Sequence, residues 1–256
     1  MPYTFAHIGY ILPVKKKWSK YFSVTGLVFG SLAPDYDILF RLTKIRFHIF
    51  QYDLKTICFL IYPIALLSAI FFHLVCRNVL IKNLPSPFFE KYQNYLDFDF
   101  IAYLKKHFVL FSVSVFLAIL LHLFLDFCCH ILDAYQVSVF VQSIIRMQYI
   151  SNQIGYFSMY FLPILFSLFG FYLMFKSEFK NGLTKISFAH PKQQLFFWLT
   201  LLIITAIISC IKIISTEKEK DYWIDLIAIS ITSSFMAATY LCCFVFSISQ
   251  RKHIVT

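Results

Sequence analysis

Charge is scarce in this chain of 256 residues: only 14% are Asp, Glu, Lys or Arg, against roughly 25% in an ordinary soluble domain. With 59% apolar residues, 32 Phe and 16 Tyr, the apolar material exceeds what one soluble core of this length hides, so much of it must face lipid. Most soluble folds are thereby excluded. Glycine is also sparse, at 6 residues, and 7 cysteines are too few for a disulfide scaffold, so collagen-like and disulfide-rich classes fall away. No Cys-x-x-Cys pair occurs, and Cys58, Cys76, Cys128, Cys129, Cys210, Cys242 and Cys243 lie mostly in apolar runs, where they read as small packing residues. Disorder is excluded by the wealth of aromatics.

What charge there is leans one way, with 23 Lys and Arg against 13 Asp and Glu and a net charge of +10. In a soluble domain that balance would point to nucleic acid. Here the basic residues cluster in short connectors, at Lys15-Lys16-Lys17, Lys105-Lys106 and Lys176 to Lys185, where they orient a membrane protein and meet anionic headgroups. The expected partner is membrane lipid, not nucleic acid. Met1 to Val14 lacks the basic start and small-residue cleavage site of a secretory signal, so these residues are expected to stay in the mature chain.

Five apolar runs stand out: Thr56 to Cys76, Phe108 to Phe127, Tyr156 to Phe175, Leu195 to Ile214 and Leu226 to Ser247. Each is near the roughly 20 residues a helix needs to cross hydrocarbon. They are apolar on both parities, which argues against barrel strands. A sixth run, Tyr21 to Ala33, is shorter and stops at Pro34-Asp35-Tyr36-Asp37, so it either spans or enters the membrane and ends. If it spans, the connectors alternate so that most Lys and Arg share one side, which favours that arrangement. Gly26, Gly30 and Ala33 form a small-residue stripe that admits a close helix neighbour. The connector from Arg77 to Lys106 reads as a surface segment against headgroups. The expected fold is an all-α polytopic bundle of five long spans plus one short or re-entrant N-terminal helix. It forms a single domain over 1–256, with the chemistry in 1–135 and C-terminal spans in 136–256.

The residues able to do chemistry gather near one end of the second long run. In His122-Leu123-Phe124-Leu125-Asp126 and on to His130, residues four apart differ by about 40° around a helix, so the three share a face. Asp133 returns to that face if the helix continues. Imidazole and carboxylate at this spacing suit zinc and related divalent ions, and an Asp in an apolar helix needs a partner or an ion. A plain hydrogen bond that Asp126 accepts from a neighbouring His or Tyr accounts for it equally well. Asp35, after Pro34, sits at the expected membrane edge with Asp37 close by. In either topology Asp35, the connector carrying His48 and the His122 to His130 segment fall at one membrane face. His73, at the other end of its run, reads as an interfacial or packing histidine. His107, His190 and His253 fall in connectors or the tail.

The opening Met1-Pro2-Tyr3-Thr4-Phe5-Ala6-His7, then Gly30-Ser31-Leu32-Ala33-Pro34-Asp35, then His122 to Asp126 with His130 four residues on, resemble a bacterial multi-pass membrane family catalogued as domain of unknown function 4184. The resemblance covers roughly the first half of the chain. More distantly, the order of polar residues is similar to membrane-bound metal-dependent hydrolases and zinc-dependent phospholipases C. That likeness implies His7, Asp35, His48, His122 and Asp126 as ligands of zinc or another divalent metal, with His130 as a candidate second-metal ligand. His7 joins the others only if Tyr21 to Ala33 does not cross the bilayer fully.

Two functions from different classes follow. One is a metal-dependent hydrolase in a bacterial cytoplasmic membrane, acting on a lipid or amphiphilic ester or phosphoester at the bilayer edge, with Asp37, His130 or Asp133 as candidate general base. The other is a non-enzymatic polytopic protein, a transporter or assembly factor, whose His and Asp residues pair helices or pass ions.

Overall fold

Proline and polar caps divide the chain into helices. In a computed structural model of the chain, the described residues are 20–36, 53–131, 191–215 and 223–255, with Leu165, Leu168, Phe169 and Tyr172; within these the side chains of Pro87, 125–131, 223–226 and 250–255 are not described. Among the described residues there is no strand. Helix α1 is Val24–Leu32, continued by a 3-10 turn over Ala33–Tyr36. Helix α2 is Leu54–Lys82, α3 is Ser86–Tyr92, α4 is Phe100–Ile131, α5 is Pro191–Ser215 and α6 is Trp223–Val255.

Among the described residues, four segments are long and apolar enough to cross a membrane: Leu54–Lys82, Phe100–Phe124, Pro191–Ser215 and Ile227–Ser249. Large apolar side chains such as Phe59, Val109, Phe124, Phe196 and Ile214 are exposed along them, as expected where the solvent is lipid. The chain is therefore a helical membrane protein. The remaining expected span, Tyr156 to Phe175, lies outside the described residues apart from four helical positions. Helix α1 is another matter. Its nine residues rise about 14 Å, roughly half the hydrocarbon thickness, before the 3-10 turn of Ala33–Tyr36 continues it.

Local chemistry sets the helix ends. Ser23 caps α1 by accepting from the Gly26 amide at 3.2 Å, Asp53 caps α2 through the Thr56 amide at 2.9 Å, and Asp99 accepts from the Ala102 amide at 3.0 Å at the start of α4; each satisfies an orphan donor of a first turn. Within α2 the backbone widens to a π turn over Ile57–Ile61, just ahead of Pro63, which lacks an N–H and whose ring crowds the carbonyl four residues back. A second π turn covers Phe72–Cys76. Helix α4 departs from helical angles at His107, with φ −124° and ψ 31°.

By Cα proximity the described residues fall into two units. The first takes 20–36, 53–66 and 108–131; the second takes 67–107, 191–215 and 223–255. In the second, Cys76 and Val79 of α2 pack with Phe197 and Leu201 of α5 and Cys242 and Cys243 of α6. Trp198 Nε1 donates to the Asn83 carbonyl at 2.8 Å and Gln194 Nε2 to the Leu84 carbonyl at 3.0 Å, so α5 supplies donors where α2 ends and its last carbonyls lack helical partners. The connector is shorter than its composition implied, because α2 runs on to Lys82 and α4 begins at Phe100. Arg77 is buried rather than solvated, and donates to the carbonyls of Leu96 and Phe98. His73 stacks on Phe100 with ring centroids 4.1 Å apart, a packing histidine as expected.

Candidate functional site

The first unit is organised by a close crossing of α1 and α4. A Cβ added at Gly26 would lie 2.7 Å from the Phe111 carbonyl oxygen, and one at Gly30 would lie 2.5 Å from that of Val115. Only hydrogen fits at these two positions. The small-residue stripe therefore does what its spacing implied, letting backbone meet backbone. The crossing is tied by Ser114, whose Oγ accepts from the Ser23 amide at 2.8 Å and donates to the Leu110 carbonyl at 2.7 Å. Beside it, Tyr62 of α2 stacks on Phe116 at 4.9 Å and shares a hydrogen bond with Ser112 at 2.7 Å.

Where α1 ends, the crossing brings Asp35 to His122. In the last turn of α1 the Ala33 amide still bonds the Phe29 carbonyl, but Pro34 has no hydrogen to offer the Gly30 carbonyl. The chain tightens into the 3-10 turn of Ala33–Tyr36, which carries Asp35 past the helix end. His122 comes from α4, one helical turn beyond Ala118, whose Cβ would lie 2.9 Å from a Cβ at Gly30. The imidazole is 1% exposed. Its Nδ1 lies 2.7 Å from the Ser31 carbonyl oxygen. A carbonyl can only accept, so Nδ1 carries the hydrogen and Nε2 is directed elsewhere.

Nε2 faces the Asp35 carboxylate, with Oδ1 at 3.6 Å and the Asp35 side chain only 12% exposed. That separation is too long for a direct hydrogen bond. It is a natural one for two ligands of a single ion: atoms each about 2.0–2.1 Å from zinc lie about 3.3 Å apart at a tetrahedral angle, and somewhat farther apart as the angle opens. The Nδ1–H bond to a backbone carbonyl is the second contact that fixes ring orientation in metal-ligating histidines. The pair thus fits a divalent cation in donor chemistry, spacing and orientation. Among the described residues, no three His, Cys, Asp or Glu side chains converge as ion ligands.

Of the residues singled out from sequence, Asp35 and His122 are brought together. Asp126 and His130 lie on the continuing backbone of α4, one and two turns past His122, and their side chains are outside those described. His7, Asp37, His48 and Asp133 lie outside the described residues altogether. Two contributors escaped the sequence reading. The Ser31 carbonyl is a backbone group, and any residue there would present it. Ser114 sits inside an apolar run, and its only signal was being a small polar residue facing the glycine stripe.

A family model described as Domain of unknown function (DUF4184) matches residues 1–248. The match extends well past the half of the chain whose motifs carried the resemblance. No curated protein and no solved structure matches the chain.

Proposed function

Given that the chain belongs to the DUF4184 family, whose function the family description leaves open, we propose that it is a membrane-embedded metal-dependent hydrolase. The observation that carries the reading is the Asp35 and His122 pair: 3.6 Å apart, shielded from water, with the histidine's other nitrogen committed to the Ser31 carbonyl. Asp35 and His122 hold one zinc-like ion, and His7, His48 and Asp126 are the ligands implied by resemblance to membrane-bound metal-dependent hydrolases and zinc-dependent phospholipases C. When bound, such an ion lowers the pKa of a water toward about 7 and polarises an ester or phosphoryl oxygen. Asp37, His130 or Asp133 takes the proton from that water. This reading takes α1 as a re-entrant helix that does not cross the bilayer fully, the arrangement His7 needs to join Asp35. The substrate is a lipid or amphiphilic ester or phosphoester that reaches the site by lateral diffusion, and the setting is a bacterial cytoplasmic membrane.

A second reading also has an observation behind it. His122 satisfies a carbonyl in the last turn of α1, so the pair would hold two helices together in a protein that is not an enzyme. Elemental analysis of the full chain purified in detergent separates the two, beside a His122→Ala, Asp126→Ala variant and a His122→Gln variant. Near-stoichiometric metal that both variants lose while retaining their helicity, together with chelator-sensitive release of p-nitrophenol from an amphiphilic nitrophenyl phosphoester, is expected of the hydrolase. Equal metal in all three proteins removes the ligands proposed here and leaves the helix-pairing role.

A further inference from the structure

Three of the seven cysteines meet at one contact. Cys76 closes the π turn of α2, and Cys242 and Cys243 lie side by side in α6. Cys76 and Cys243 have no exposed surface and Cys242 has 1%; all three pack with Val79, Phe197 and Leu201 in one apolar cluster. A ring contact marks the same meeting of helices, since Phe71 of α2 and Tyr240 of α6 pack edge to face with centroids 5.5 Å apart. Within the cluster the thiols of Cys76 and Cys243 are hydrogen-bonded to one another. All three are free thiols.

A thiol is a weak donor and a weak acceptor, so that bond adds little to the hold between α2 and α6. What it does is set two oxidisable sulfurs side by side on different helices. Cys242 is no partner for Cys243, because neighbours in a helix point about 100° apart and a disulfide closes only with its sulfurs about 2.05 Å apart. The Cys76 and Cys243 sulfurs are already in contact, and the gap left closes by rotation of two short side chains. Among the described residues no third His, Cys, Asp or Glu completes an ion site around them, which disfavours a metal. Neither sulfur reaches water, so an oxidant has to arrive through lipid. It also has to take up protons along with electrons, because an apolar cluster does not hold a stranded charge. A lipid-soluble quinone does both.

We propose that Cys76 and Cys243 are a redox dithiol, which a lipid-soluble quinone oxidises to a disulfide joining α2 to α6. Both S–H bonds break and one S–S bond forms; the two electrons and two protons pass to the quinone, which becomes a hydroquinone. The site is independent of Asp35 and His122. Its test uses the full chain in phosphatidylcholine vesicles, treated with duroquinone, whose fully methylated ring resists addition of sulfur. The protein is then unfolded in iodoacetamide and its peptides are mapped by mass spectrometry. Loss of alkylation at Cys76 and Cys243 together is expected, with a peptide pair joined through them, lighter by two hydrogens than the separate peptides and released by dithiothreitol. Cys243→Ala should abolish the joined pair and leave Cys76 alkylated, whereas Cys242→Ala should retain it. The map of the unsubstituted chain decides the matter by itself if Cys243→Ala fails to fold. Cys76 and Cys243 both alkylated after treatment, or Cys76 joined to Cys242 instead, overturns the proposal.

Discussion

Two helix contacts, α1 with α4 in the first unit and α5 with α6 in the second, solve the same problem in opposite ways. Helices in lipid gain nothing from hiding apolar surface against each other, so they associate through close packing and polar contacts. In α1 and α4 the packing is backbone against backbone, at Gly26 and Gly30. Side chains fill the other contact: Phe197, Leu201, Cys242 and Cys243, with Lys212 and Ser233 farther along. A backbone contact is rigid because nothing in it can change rotamer. The first contact therefore holds Asp35 and His122 at a fixed spacing, whereas the side chains of the second can adjust.

The sharpest way to break this contrast is Gly30→Ala. The new methyl would sit 2.5 Å from the Val115 carbonyl oxygen and 2.9 Å from Ala118 Cβ, so α1 must move off α4, at a cost of about 3 kcal/mol or more. Metal content should fall with stability if Asp35 and His122 are ligands, and elemental analysis beside a detergent unfolding curve reads both. Leu201→Ala in the side-chain contact should destabilise by about 2–4 kcal/mol but leave metal content unchanged; loss of metal there would erase the distinction. Next is Ser114→Ala, which strips the Ser23 amide of its acceptor and should lower unfolding free energy by about 1–2 kcal/mol. Trp198→Phe removes one donor from the end of α2 and should cost about 0.5–1 kcal/mol.

The smallest effect is one of pH at Asp53. Hydrogen bonds from Thr56 hold its carboxyl below the ordinary Asp value, so the cap's contribution is full above the unfolded-state pKa and disappears as pH falls through the lower folded-state value. Hydrogen exchange at the Thr56 amide should quicken relative to a neighbouring uncapped amide across that acid window, and Asp53→Ala should abolish the pH dependence.

Hydropathy made four of the spans legible, because nothing but a helix lets twenty apolar residues keep their backbone bonded in lipid. It did not reveal where they end. Helix α2 continues through Arg77 and Lys82 because Arg77 finds the carbonyls of Leu96 and Phe98, partners supplied by chain folding back and absent from any local pattern. Likewise Pro191 and Lys192 belong to α5, since proline is well tolerated in a first helical turn. In the candidate site, Asp35 and His122 were visible as ionisable groups in apolar surroundings. The length of α1 was not, because an apolar run of thirteen residues reads the same whether its ends are helical or not. Lys212 lay in plain view inside an apolar run, but its inward direction depends on a serine 21 residues away.

The π turn at Phe72–Cys76 fixes the azimuth of everything after it in α2. Such a turn takes in one residue more than a regular turn, so Arg77 and Val79 trail by about 100° the positions an unbroken helix would give them. Deleting one residue there would leave a straighter, better-bonded rod. That rod would aim the Arg77 guanidinium and the Val79 methyls past their present neighbours, so this helix gains its correct aim from a local irregularity.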